Sequence, residues 1–188
     1  MAAKRYADDY ETVITTDEKG NEKKTAVYRG EYFEISLDEE GLSSFKRKCL
    51  LLLAVIIVLH ISGGFVNNKG MNQFFVGLPY VTAFFPLLYL ALAVLRLPKE
   101  ARKYRRDEIG LSFDRMKTTS FILFTFLGMG VLGEIAFLLL FSTGDQNLLE
   151  FLYLTLAILT ATAVFILITM QRQITILPAE NTHKNHLP

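Results

Sequence analysis

The chain has 188 residues, enough for one domain, and its 20 basic and 19 acidic side chains leave a net charge of +1. With no basic excess to attract phosphates, no nucleic-acid partner is expected, and a single cysteine, Cys49, excludes an intramolecular disulfide and a thiolate-based zinc site. The average hides two environments: charge is gathered into the first 48 residues and into 98–117, while long intervening runs hold almost none.

In chain order, the first segment is rich in Thr, Val, Ile, Tyr and Phe at 10–16 and 25–35, with DEKGNEKK between them. This composition predicts a β-hairpin around a polar turn. Two strands alone are marginal in water, so a third partner is required. The tail supplies a candidate in 173–177, which alternates in polarity and stops at Pro178, so that hairpin and tail would form one small sheet. Residues 1–9 and 179–188 are expected to lack order.

Four apolar runs follow, at 49–66, 74–97, 119–141 and 148–170. At 1.5 Å rise per residue each suits a hydrocarbon core of about 30 Å, the first only with help from its flanks. Stretches such as LLLLAVIIVL carry no polar stripe at helical period, so a water-soluble bundle does not fit them. The fold class expected is an all-α membrane protein: a four-helix transmembrane bundle with a small cytoplasmic β-hairpin or sheet.

Orientation follows from Lys and Arg. Lys46, Arg47 and Lys48 precede the first run, and Lys99, Arg102, Lys103, Arg105, Arg106, Arg115 and Lys117 lie between the second and third. The short loops at 67–73 and 142–147 contribute only Lys69. The positive-inside rule then puts the central loop and both termini in the cytoplasm, here at the plasma membrane. Arg96, at the inner end of the second run, should snorkel to the headgroups.

DEEGLSSFKR at 38–47 recurs as DEIGLSFDR at 107–115 once one serine is gapped, with seven of nine paired positions identical. Each copy precedes a helical hairpin, so the chain reads as a tandem duplication related by an axis along the membrane normal. The units expected are 1–36, an N-terminal cytoplasmic hairpin; 37–97 and 98–170, the two repeats; and 171–188, a cytoplasmic tail. Asn147 and Glu150 read as a capping pair for the fourth helix, after turn chemistry at 142–145.

Within the spans two ionisable side chains lie far from an end, His60 and Glu134, about 9 Å and about 10.5 Å below the outer boundary at 1.5 Å per residue. Such groups face a bundle interior or a wet cavity, and the two would pair if helices one and three were neighbours. The functional reading is a proton or cation site. The commoner use of polar groups between membrane helices is glue, and it is preferred here. Gly128, Gly130 and Gly133 spell G-x-G-x-x-G, but with no preceding strand they read as a helix-packing face and not as a dinucleotide fingerprint. Pro79 and Pro86 predict kinks in the second helix. No catalytic constellation, cofactor or metal is expected, since His183 and His186 lack a third ligand. The expected function is an interaction, scaffold or regulatory subunit, with the lipid bilayer and other membrane proteins or further copies of itself as partners. The alternative is a transporter or channel component.

Overall fold

The computed structural model describes residues 6–16, 22–100, 102–141 and 147–179. It is mostly helical, with four main helices and two small antiparallel sheets. The helices are α1 (Glu39–Gly64), α2 (Phe74–Leu95), α3 (Arg106–Leu140) and α4 (Asn147–Arg172). They form an up-down-up-down bundle in which α3 packs on α2 and α4, α4 packs on α1, and α1 touches α2 more sparingly. Helices α1 and α3 are therefore diagonal.

Among the described residues three helices, α2, α3 and α4, are long and apolar enough to cross a membrane. Four were expected, and α1 falls short for a physical reason. It spends its first turns on Glu39, Glu40, Lys46, Arg47 and Lys48, and it stops at Gly64. Its apolar part, 49–64, is about 24 Å long.

The helices expose apolar side chains outward, among them Leu51, Phe85, Leu132 and Leu139 at 67%, 67%, 69% and 80% exposure. Inside, Leu42, Cys49, Ile56, Leu90, Leu123, Val164 and Leu167 form one core, and a smaller cluster of Val76, Phe137 and Tyr153 closes the end away from the sheets. Hydroxyls on these apolar helices are satisfied within their own turn: Thr82, Thr125, Thr155 and Thr162 each donate to the carbonyl four residues back.

Strands β1 (Tyr10–Thr16) and β2 (Glu22–Tyr28) pair as the expected hairpin. The run 25–35 is not one strand. It breaks near Gly30, and β3 (Tyr32–Ile35) joins a second sheet between β4 (Tyr104–Arg105) and β5 (Ile176–Pro178). The tail thus pairs with β3 in register Glu34↔Leu177, as the sequence suggests, while the hairpin stays separate and the central loop supplies the third strand. One sheet gathers segments from three of the four expected units.

Residues 1–5 and 180–188, including His183 and His186, lie outside the described residues, as do 17–21 of the polar turn and the turn at 142–145. Tyr6–Asp9 and Ala179, expected to lack order, have defined places. Ala7–Asp9 forms a 3-10 turn, and the Ala179 N–H donates to the Tyr32 carbonyl at 2.7 Å.

Pro79 and Pro86 face the core, and α2 runs through both as one helix. Proline at 79 leaves the Phe75 carbonyl without its helical donor. That carbonyl abuts Gly133 of α3, where a Cβ would lie 2.5 Å from the oxygen. The glycine face is graded: a Cβ on Gly130 would meet Pro79 at 3.9 Å, and one on Gly128 would meet nothing within 4 Å. Gly128 is not a packing position, because it turns away from α2. Gly133→Ala should destabilise the protein by about 1–3 kcal/mol through overpacking against backbone. Gly128→Ala should be neutral or stabilising by up to about 1 kcal/mol from helix propensity. Thermal midpoints of the two variants in detergent check the contrast. Removing residues 174–188 should speed amide exchange at 32–35 and leave the β1–β2 ladder protected.

Candidate functional site

The buried polar groups concentrate at the end of the bundle away from the sheets. There the loop after α1 turns inward instead of running over the surface, and a 3-10 turn at Gly70–Asn72 leads into α2. Asn68, Glu134 and Glu150 are 3%, 0% and 3% exposed. The Glu150 carboxylate accepts the backbone N–H of Lys69 at 2.7 Å and of Gly70 at 3.3 Å, so α4 holds the loop by two main-chain donors. Asn68 Nδ2 donates to Glu134 Oε2 at 3.4 Å, and the carboxyls of Glu134 and Glu150 converge on Gly70. Two backbone N–H donors are thus aimed at Glu150, while Glu134 receives one side-chain amide.

Only glycine fits at 70, since a Cβ there would collide with the Glu134 carboxyl. Close approach of α2 and α3 through Gly133, the residue before Glu134, brings the carboxyl under the loop. Two oxygens, Asn68 Oδ1 and Glu134 Oε1, are buried with no hydrogen-bond partner.

His60 does not pair with Glu134, because α1 and α3 face each other across the bundle. Its ring lies against Tyr80 and Phe84, with centroids 4.5 Å and 4.6 Å apart, and the Tyr80 hydroxyl donates to the His60 carbonyl at 3.0 Å. His60 Nε2 has no partner. A cavity of about 20 Å³ lies beside it, with walls from all four helices that include Gly63, Gly130, Tyr153 and Thr160. That volume holds about one water molecule. Below it the core is apolar down to Ser120 and Gln171, whose amide donates to the Ser120 hydroxyl at 2.9 Å.

Glu150 holds a role that its capping spacing from Asn147, whose side chain lies outside the described residues, does not suggest: its carboxylate accepts two N–H groups of the opposite hairpin. Asn68 also escapes notice in sequence, since an asparagine in a short loop reads as turn chemistry. The one available signal is that three polar residues, at 68, 134 and 150, fall at similar depth once the spans are drawn.

At the opposite end the basic residues marked for topology share the face that carries both sheets. Arg102 pairs with Glu108 at 2.8 Å, Lys103 approaches Glu34 at 3.7 Å, and Lys46 donates to the Leu97 carbonyl. The hairpin is tied down there. Tyr10 donates to Asp107 at 3.1 Å and receives Arg105 at 3.4 Å, while the Arg106 N–H reaches the Tyr28 hydroxyl at 3.0 Å. Arg47 and Lys48 are exposed. Arg102 and Arg105 bonds outweigh burial at Glu108 and hold its carboxyl below the usual carboxylate range.

No family model, curated protein or solved structure matches the chain.

Glu134→Gln should be nearly neutral, because an amide oxygen can still accept from Asn68. Glu150→Gln sets an N–H against a backbone N–H and should cost about 1–3 kcal/mol. Thermal unfolding in detergent separates the two, and equal losses would overturn this division of roles.

Proposed function

We propose that the chain is a multi-pass integral membrane protein acting as an interaction, scaffold or regulatory subunit of a membrane complex, without a catalytic role. Full burial of Glu134 beside Glu150 under the first loop carries this reading: Asn68 bonds to Glu134 of α3, and the Lys69 and Gly70 N–H groups bond to Glu150 of α4, which is the work of interhelical glue. The room beside His60 fits a single water and the core below it is apolar, which supports a sealed interior over a conduit.

The membrane reading is supported by three helices of spanning length and by apolar side chains turned outward around the bundle. In this reading α1 is the fourth span, completed by thinning of the bilayer or by its flanks. The basic residues collected at the sheet end make that end cytoplasmic at the plasma membrane, with both termini there. The recurring DEEGLSSFKR and DEIGLSFDR segments favour a duplicated hairpin. Phe45 and Phe113, which occupy equivalent places in the two copies, stack at 6.3 Å with a 16° interplanar angle, as residues beside a pseudo-two-fold axis should. Recognition falls to the cytoplasmic sheets, and the helical faces contact lipid, other membrane proteins or further copies of the chain.

A second reading, transport of a proton or small cation, is favoured by the unpartnered His60 Nε2 and Glu134 Oε1. Proteoliposomes decide between the two. The subunit reading expects no pH-driven proton or sodium flux above empty vesicles. Flux in the wild-type protein that Glu134→Gln abolishes, with folding intact, would replace it by transport. Carbonate extraction tests insertion, and labelling of single cysteines placed at 24 and 69 tests sidedness, with 69 expected to be the external one.

A further inference from the structure

At the sheet end of α2 a cavity of about 230 Å³ opens between the helix terminus and the start of α3, with Arg96, Pro98, Arg102, Tyr104 and Ser112 among its walls. Two more cations stand beside it. Lys46 of α1 donates to the carbonyl of Leu97, next to Arg96, and burial together with the neighbouring Lys99 ammonium holds Lys46 below the usual lysine range. Lys46, Arg96, Lys99 and Arg102 thus crowd one corner, and among the described residues only Arg102 has an ion-pair partner there.

The two acids on the cavity wall are engaged. Glu108 is taken by Arg102 at 2.8 Å and by the Arg105 N–H at 3.1 Å. Asp107 accepts the Tyr10 hydroxyl at 3.1 Å and turns its second oxygen, which has no hydrogen-bond partner, to the interior. Among the described residues Lys46, Arg96 and Lys99 have no ion-pair partner. A straight apolar track leads to them: Leu88, Leu92 and Leu95 lie at helical spacing on α2, exposed by 61%, 38% and 62%, with Arg96 next in line. A phosphate with an acyl chain attached matches this arrangement, the chain along the leucines and the phosphate among the cations.

We propose that this corner is a binding site for an anionic phospholipid, with its phosphate held by Arg96, Lys99 and Lys46. The proposal rests on the membrane reading given above. A basic pocket at the headgroup level beside a spanning helix is the physical setting in which such lipids are selected over zwitterionic ones. Arg102 stays committed to Glu108, and so shapes the wall without carrying the ligand's charge.

The test uses the full chain in mild detergent, with thermal stability measured against added phosphatidylglycerol, phosphatidylcholine and inorganic phosphate. Phosphatidylglycerol should stabilise it at far lower concentration than phosphatidylcholine. Arg96→Gln and Lys99→Gln should each raise the half-saturating concentration about fivefold, with the double variant near the product of the two. Lys24→Gln, on the hairpin, should change nothing. Equal response to both lipids, or an unchanged response in both Arg96→Gln and Lys99→Gln, overturns the proposal. Full stabilisation by inorganic phosphate alone overturns the lipid assignment in favour of a soluble phosphate. Release of the protein from membranes by carbonate would instead defeat the membrane reading itself, a result separable from loss of lipid preference in a protein that stays inserted.

Discussion

Two carboxyl groups buried against each other with no cation at hand constrain the whole end of the bundle they occupy. Glu134 and Glu150 have to be satisfied by hydrogen bonds alone, and the donors that reach them are one asparagine amide and two backbone N–H groups. Meeting that demand draws the loop after α1 inward, which requires glycine at 70. It also requires α3 to approach α2 closely, which requires glycine at 133 opposite the carbonyl that Pro79 leaves free. A proline, two glycines and three polar side chains far apart in sequence therefore serve one local balance. An unpaired carboxylate in an apolar surround is costly enough to enforce all of them.

The other end is organised by backbone pairing. β3 is only Tyr32–Ile35, yet it takes β4 from the central loop on one edge and β5 from the tail on the other. Three segments leaving the bundle at separate points are thereby fixed to one another. The β1–β2 hairpin then rests on this assembly through Tyr10 and Tyr28, whose hydroxyls engage Asp107, Arg105 and the Arg106 backbone. A two-stranded ribbon that would be marginal alone gains its third partner as a set of side-chain contacts instead of a further strand.

These two ends divide the chemistry. The glutamate end is inward-looking: its polar groups bond mainly to one another, and the cavity beside His60 is the size of one water. The sheet end is outward-looking, with exposed strands and, among the described residues, cations that have no ion-pair partner.

Composition and local order in the chain account for every element that depends on neighbours alone. The four helices follow from apolar runs, the hairpin at 10–28 from β-branched and aromatic residues around a polar turn, the tail strand from alternation before Pro178, and the buried positions of His60 and Glu134 from their apolar flanks. Each of these is a property of neighbours in the chain. The tertiary structure alone decided which helices touch, and that reassigned the site. With α1 and α3 diagonal, His60 is left to Tyr80 and Phe84, and Glu134 turns to Asn68 and Glu150. It also broke the run 25–35 near Gly30 and gave Gly133 a role that Gly128 lacks. A capping spacing looks the same in sequence whether the carboxylate serves its own helix or a loop 80 residues away, because hydrogen-bond choice depends on distance in space.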